Sequence, residues 1–242
     1  MATLYSFFSR SIYKYKLISH NNRILIAVSG GIDSLVLTHL FKRLRNSSRY
    51  NIYIEAAHVR IPETRLDDTI IEKTKKYLEE WDVPFTILDG KIREGYEVGC
   101  YTCSKERRKR LITYYYQNKF NALAVGHNED DYIETGLLNL IYHGNLLSLS
   151  IQEYMFNKTV NIIRPLIIVK KKWITSYAKE NNIQINNFNC NYGEKSQRIW
   201  VRELIKNLSS HHRGFLTNLK NAIDKWNAQF QPGFIKYEYK GK

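Results

Sequence analysis

Three cysteines in 242 residues are too few, and odd in number, for the disulfide framework of a small secreted protein. The sequence also lacks any run of about 18 apolar residues, the length that a membrane-spanning helix needs. No segment is repeated, and no low-complexity linker interrupts the chain. These absences predict a cytoplasmic protein with no membrane partner and with one main domain.

Acidic residues are also scarce, since 23 Asp and Glu stand against 37 Lys and Arg and leave a net charge of +14. Such an excess favours a polyanionic partner, because each neutralised phosphate releases counterions. The alternative is a solvated basic surface from a lysine-rich proteome.

The first 23 residues contain no acidic side chain, which is also typical of a transit peptide. Five apolar side chains can nevertheless line one side of a helix, which favours a structural helix: Phe7, Phe8, Ile12, Tyr13 and Leu17. We therefore expect residues 1–22 to form a helical lead-in, residues 23–195 the main domain, and residues 196–242 a helical extension.

The stretch "AVSGGIDSLVLTHLF", residues 27–41, places a glycine turn between an apolar strand pattern and a helical pattern. Gly30 and Gly31 can adopt positive φ, and the following helix N-terminus favours an anion. The turn has neither Walker spacing nor GxGxxG. It matches SGGxDS, the pyrophosphate loop of ATP pyrophosphatases; the alternative is a glycine turn that only closes a βα unit.

Strand and helix patterns alternate along the chain, which predicts an α/β fold with a doubly wound parallel sheet. The predicted strands are 23–28, 51–58, 84–88, 121–125 and 160–163, and the predicted helices are 34–45, 67–81, 104–118, 130–142 and 170–181. Ligands of such sheets bind beyond the carboxyl ends of the strands, where the glycine turn falls.

A second apolar run, "ALAVGHNEDDYIET", ends in Gly126 and His127 and opens into an acidic helix start. We expect this turn to lie beside the first one. Asp130 and Asp131 can then hold a magnesium ion on the phosphates of a nucleotide. Their alternative role is to cap the helix that follows.

The cysteines are Cys100 and Cys103, in a CxxC motif, and the distant Cys190. Three thiols fit a redox pair with a bystander, a zinc site, or a three-cysteine iron–sulfur cluster with one open iron. Zinc needs a fourth ligand, for which His127, His143 and His211 are the candidates. A basic run follows the CxxC directly and favours phosphate or RNA nearby: Arg107, Arg108, Lys109 and Arg110.

Together these motifs resemble the tRNA 2-thiocytidine synthetases, which belong to the ATP pyrophosphatases with a pyrophosphate (PP) loop. The resemblance rests on SGGIDS, CYTCSKERRKRL, GHNEDDYIET with NLIYHG, IIRPL, and a lone cysteine before YGEKSQRIWVRELI. It implies that ATP adenylates a cytidine carbonyl oxygen in the tRNA anticodon loop and releases pyrophosphate. Sulfur carried on a 4Fe-4S cluster then replaces this oxygen, and AMP leaves.

The resemblance also implies roles for individual residues. The ATP site would comprise Ala27, Ser29, Gly30, Gly31, Asp33, Ser34, Gly126 and His127, with Asp33, Asp130 and Arg107 as catalytic residues. Cys100, Cys103 and Cys190 would hold the cluster. Magnesium would accompany ATP, and a cysteine desulfurase or free sulfide would donate the sulfur. A homodimer is also compatible with the resemblance.

Two positions depart from the family pattern. Ile32 stands where the loop usually has a lysine, so that charge is missing or comes from Arg107 or Lys105. Asn191, rather than a second cysteine, follows Cys190, which leaves three thiols as the only possible cysteine ligands.

Three other functions remain open. The tRNA 2-thiouridine synthetases share the loop but carry extra cysteine-rich zinc modules, and the tRNA isoleucine lysidine synthetases share it without a cluster. The third is a catalytically silent RNA-binding protein of this fold. For RNA contacts we predict Arg108, Arg110 and a stripe of Arg198, Arg202 and Lys206, which a solvated helix face would explain equally well.

Overall fold

A six-stranded, mostly parallel sheet forms the centre of the computed structural model, which describes residues 3–47, 49–64, 68–184 and 197–230. The strands are β1 (Arg23–Ala27), β2 (Tyr53–Arg60), β3 (Phe85–Asp89), β4 (Ala122–Val125), β5 (Gln152–Met155) and β6 (Val160–Ile163). Their order is β3-β2-β1-β4-β6-β5. This order confirms the predicted doubly wound α/β fold.

Helices connect these strands and extend the chain at both ends. They are α1 (Leu4–Lys14), α2 (Ile32–Arg45), α3 (Asp68–Glu80), α4 (Cys100–Gln117), α5 (Glu129–His143), α6 (Lys171–Glu180), α7 (Gln197–His211) and α8 (Phe215–Phe230), with a 3-10 turn at Pro62–Thr64. The predicted N-terminal helix is confirmed, since α1 buries Leu4, Phe8 and Ile12 in the main core. Tyr13 does not join them, because it is 72% exposed.

Alternating side chains of the strands separate the core into two faces, as expected for a sheet covered on both sides. Ile24 and Ile26 of β1 pack with α1, α2 and α6, whereas Leu25 packs with Tyr115 of α4 on the other face. The strand order reverses at β1, because its neighbours are β2 and β4. A crevice at such a reversal is where ligands bind in this class of fold.

Two elements differ from the sequence expectation. β5 is a strand that the sequence pattern did not predict, and it runs antiparallel to β6 at the edge of the sheet. Its residues, QEYM, lack the β-branched run that marks a buried strand. Helix α4 begins at Cys100 rather than at residue 104, because Gly99 is its N-cap and the Gly99 N–H donates to Thr102 Oγ1 at 3.0 Å.

Among the described residues, no helix is both long enough and apolar enough to cross a membrane.

Candidate active site

The SGGIDS turn joins the end of β1 to the N-terminus of α2. Gly30 has φ +85°, and a Cβ on it would lie 2.7 Å from Ile70 Cγ2, so this position requires glycine. Gly31 is the N-cap of α2 with φ −87°. Of the two glycines, only Gly30 therefore uses the positive φ that the sequence allowed for both. Ala27 is the last residue of β1 and pairs with Ala57 and Val125.

The two serines of the turn hold its backbone in shape. Ser34 Oγ donates to the Gly31 carbonyl at 2.8 Å and accepts the Ser29 N–H at 3.2 Å. Ser29 Oγ accepts the Gly31 N–H at 3.3 Å. The turn is thus fixed around the first turn of α2, where peptide N–H groups and the helix dipole favour an anion such as phosphate.

The second glycine turn lies directly against the first, as predicted. A Cβ on Gly126 would lie 3.1 Å from both the carbonyl carbon of Asp33 and the backbone nitrogen of Ser34. The following His127 accepts a hydrogen bond from Arg164 Nε at 3.3 Å through Nδ1. Burial, and then the charge of Arg164, lower the pKa of His127 to about 4, so the imidazole is neutral near pH 7.

The acidic start of α5 caps this helix. Asn128 accepts the backbone N–H groups of Asp130 and Asp131, and Asp131 accepts the Asn128 N–H at 3.0 Å. Asp131 also lies 3.9 Å from Arg198 of α7. The carboxylate of Asp131 therefore has a structural role, while Asp130 is exposed. A magnesium site at these residues stays a prediction.

Lys171, at the start of α6, is a site residue that the sequence interpretation missed. Its Nζ donates to both carboxylate oxygens of Asp33, at 2.6 and 2.5 Å. Burial raises the pKa of Asp33 above its ordinary value, Lys171 opposes that rise, and Asp131 and Asp130 add to it. Ile32 meanwhile packs against the main core. The cation nearest the loop aspartate thus comes from α6.

The cysteines of the CxxC motif occupy the first turn of α4. Cys100 is exposed, whereas Cys103 is buried against Val59, near the carboxyl end of β2, and Ile61, just beyond it. This is the same edge of the sheet as the SGGIDS turn, because β1 and β2 are parallel neighbours. Cys190 lies outside the described residues. Within the described part, no three His, Cys, Asp or Glu side chains are grouped as metal ligands would be.

Comparison with known protein families identifies the family to which this chain belongs. The profile of the PP-loop domain matches residues 4–208. The chain belongs to the PP-loop domain family. Its SGGIDS turn is accordingly the PP-loop.

Curated relatives of this PP-loop chain carry a specific name, tRNA-cytidine(32) 2-sulfurtransferase. One from Francisella philomiragia is 27% identical over 226 residues, which are 90% of this chain and 87% of the relative. Another from Legionella pneumophila is 29% identical over 223 residues, which are 88% of this chain and 77% of the relative.

The fold is also found in a solved structure, that of a U34-tRNA thiolase from Methanococcus maripaludis with its 4Fe-4S cluster. It superimposes with a TM-score of 0.77 at 23% sequence identity, and covers 93% of this chain and 80% of the thiolase chain. A likeness at this identity supports the PP-loop fold of the chain.

His58 and Arg107 lie beside the PP-loop on the α4 side. His58 Nδ1 donates to the Val28 carbonyl at 2.8 Å, which leaves Nε2 as the acceptor atom of a neutral ring. Burial is the main cause that lowers the pKa of His58, and the charge of Arg107 contributes. His58 Nε2 and Arg107 Nε are both buried without a hydrogen-bond partner among the described residues. The only sequence signal for His58 is its polarity within the apolar strand β2.

The predicted RNA contacts fall into two groups. Arg108 is exposed, but Arg110 Nε donates to Glu106 at 2.7 Å. On α7, Arg202 Nε donates to the buried Glu134 of α5 at 2.6 Å, and Arg198 faces Asp131, whereas Lys206 is exposed. Arg198 and Arg202 therefore join α7 to α5, and an RNA role for this stripe stays a prediction.

Proposed function

We propose that this chain is an ATP-dependent tRNA sulfurtransferase that converts a cytidine of tRNA into 2-thiocytidine. One observation carries the proposal: the PP-loop and the CxxC motif lie at the same carboxyl edge of the sheet. The relatives named tRNA-cytidine(32) 2-sulfurtransferase support the same substrate and the same position in tRNA.

The ATP half of the reaction is assigned to the PP-loop. The triphosphate binds at the N-terminus of α2, and the cytidine carbonyl oxygen attacks the α-phosphorus while pyrophosphate leaves. Lys171 is assigned to stabilise this charge, because its ammonium group already lies at the loop on the carboxylate of Asp33. Gly126 and His127 form the opposite wall, where neutral His127 adds no positive charge of its own.

Magnesium on the phosphates is proposed at Asp33 and Asp130. Carboxylate oxygens are its preferred protein ligands. Asp130 and Asp131 both act electrostatically on Asp33, which brings the acidic start of α5 within range of the loop. Asp131 is the less suitable ligand, because it already accepts the Asn128 N–H.

The thiol donors fit an iron–sulfur cluster. Cys100 and Cys103 are three residues apart in one helical turn, so both lie on one side of α4, and Cys190 would be the third ligand. Held by these three thiolates, a 4Fe-4S cluster would carry the sulfur that replaces the activated oxygen, and AMP would be the leaving group. A cysteine desulfurase or free sulfide would donate this sulfur; a homodimer and a cytoplasmic location remain part of the proposal.

The first test is metal analysis combined with product analysis. Protein purified without oxygen should contain about four irons and four acid-labile sulfides per chain. With ATP, sulfide and tRNA transcript it should form 2-thiocytidine and release pyrophosphate. Cys190→Ala should lose the cluster and the product, while Cys190→Ala and wild type should bind ATP equally.

Other results would point to the other functions. Zinc or no metal after anaerobic reconstitution, together with lysine incorporation into tRNA, would contradict the proposal in favour of a lysidine synthetase. Formation of 2-thiouridine would show that the substrate is a uridine rather than a cytidine, and the proposed thiolation chemistry would otherwise stand. Absence of any ATP turnover with an intact cluster and bound tRNA would indicate a silent RNA-binding protein.

A further inference from the structure

A groove runs along the outer face of α4 and is closed on one side by the end of β5. It encloses about 510 Å³, within the range of small-ligand sites. Its helical wall includes Tyr101, Lys105, Arg108 and Lys109, and its other wall includes Met155 and Phe156. Spacings of three and four residues place these α4 side chains in one stripe.

The groove carries positive charge that its lining does not neutralise. Lys105, Arg108 and Lys109 line it, and no carboxylate is among its lining residues in the described part of the chain. The two nearby acids on the same elements are engaged elsewhere. Glu106 accepts from Arg110 at 2.7 Å, and Glu153 of β5 accepts from Arg164 at 2.7 Å. The groove is therefore complementary to an anion with several charges.

Aromatic surface lies open at both walls. Tyr101 is 77% exposed, and Phe156 is 64% exposed. Phe156 also has φ +50°, a conformation that is unusual for a bulky residue. Exposed rings beside cations are the combination that binds single-stranded nucleic acid, because bases stack on the rings while cations contact the backbone.

The groove starts at the active-site end of α4. Tyr101 lies between the two cysteines of the CxxC motif, and the charge of Arg108 acts on His127 in the second glycine turn of the active site. The stripe from residue 101 to residue 113 extends for roughly 18 Å at the helical rise per residue. A strand bound there can therefore lead directly into the catalytic cleft.

We propose that this groove binds a single-stranded segment of the tRNA substrate, with Lys105 and Lys109 on its phosphates and Phe156 stacked on a base. The inference rests on the proposed tRNA thiolation and adds the surface that holds the RNA beside the reacting nucleotide. Among possible occupants, RNA fits best because the groove combines unneutralised cations with open aromatic rings.

The test measures binding of fluorescein-labelled tRNA transcript to the full-length protein by anisotropy at several salt concentrations. Lys105→Ala with Lys109→Ala should weaken binding at least tenfold at low salt. It should also make the slope of log K against log salt shallower by about 1.4 to 1.8, the value for two lost phosphate contacts. Phe156→Ala should weaken binding about fivefold or more with an unchanged slope, and Phe156→Trp should retain it.

Lys73→Ala with Lys76→Ala is the matched control. These exposed lysines lie on α3, whose Leu78 packs on the opposite face of the sheet from α4. Their removal subtracts the same charge and should leave tRNA binding within twofold. Iron content and circular dichroism verify that each variant is folded and loaded.

Two failures can be told apart. If wild type binds and thiolates tRNA while the groove variants bind like the α3 control, the groove proposal is wrong and the proposed function stands. If wild type does not bind tRNA, base stacking in the groove is excluded and the proposed function fails as well. If heparin displaces tRNA as easily from wild type as from Phe156→Ala, base stacking in the groove is excluded, but the proposed function stands.

Discussion

Lys171 Nζ lies within 2.6 Å of both carboxylate oxygens of Asp33 and joins the first turn of α6 to the PP-loop. The two residues are 138 positions apart in the chain. Since Ile32 packs into the core, this pair brings a lysine to the loop from another helix. Neither Arg107 nor Lys105, the two substitutes that the sequence suggested, forms this contact.

Lys171→Ala should lower kcat/KM for ATP about tenfold or more, because the phosphates lose a cation. It should also shift the pH profile. Burial raises the pKa of Asp33 and Lys171 lowers it, so without Lys171 the pKa rises further. Since the reaction is expected to need ionised Asp33, activity on the acid limb of the pH profile should begin to fall at a higher pH in the variant than in wild type. Steady-state kinetics at pH 5 to 8 would show the shift.

Lys172→Ala is the control for that experiment, since Lys172 is the exposed neighbour on the same turn. It removes the same charge and should leave both ATP kinetics and pH profile nearly unchanged. Equal effects of the two variants would mean that only the general field at this end of α6 matters, and would contradict a specific role for Lys171.

The two glycines of the PP-loop should respond differently to alanine. Gly30→Ala forces a side chain into φ +85° and against Ile70 Cγ2 at 2.7 Å, and should destabilise the fold by about 2 kcal/mol or more. Gly31→Ala meets only Ser29 Oγ at 3.4 Å and should cost less than about 1 kcal/mol. Urea unfolding of both variants measures the difference; equal losses would be inconsistent with the two backbone conformations.

The pair of Glu134 and Arg202 should stabilise the contact between α5 and α7. Glu134 is 5% exposed, and one of its carboxylate oxygens has no hydrogen-bond partner among the described residues. Arg202→Ala should therefore cost about 2 to 3 kcal/mol near pH 7, since it leaves a buried carboxylate unpaired. Adding Glu134→Gln should recover part of that loss, and a double-mutant cycle by urea unfolding measures the coupling.

The same pair gives a pH dependence with a defined sign. Burial raises the pKa of Glu134 and Arg202 opposes it, so the pKa is higher still in Arg202→Ala. The folded variant then binds more protons than the unfolded chain above pH 4.5, the ordinary pKa of a glutamate side chain. Its stability should fall as pH rises through that window and level off above the folded pKa. A variant that is as stable at pH 7 as at pH 5, relative to wild type, would contradict the argument.

The pKa of His127 predicts the opposite pH dependence, in which stability falls as the pH is lowered. Its pKa is lowered from 6.5 to about 4, chiefly by burial, so below pH 6.5 the unfolded chain binds more protons than the folded one. The imidazole should therefore cost the fold about 2 kcal/mol between pH 7 and pH 5. His127→Gln, which retains an acceptor for Arg164, should remove that part of the loss. Guanidinium unfolding of both proteins at the two pH values measures it.

Local sequence patterns were enough to predict the fold class and the location of the phosphate turn. The apolar β-branched runs and the helical spacing of leucines are local patterns, and they predicted β1, α2, β4 and α5 to within a few residues. The rule that ligands bind beyond the carboxyl ends of parallel strands then placed Gly30 and Gly126 side by side. Local sequence sufficed here because strand, turn and helix N-terminus are consecutive in the chain.

Contacts between residues far apart in the chain could not be predicted in this way, because they depend on how the folded elements pack. Lys171 reaches Asp33 from a helix 138 residues away, and Arg202 turns from an apparently exposed stripe towards buried Glu134. His58 shows the same limit, since its place beside the PP-loop depends on the register of β2 against β1. A sequence pattern shows which face of an element a side chain occupies, whereas the partner opposite that face is fixed by how separate elements pack.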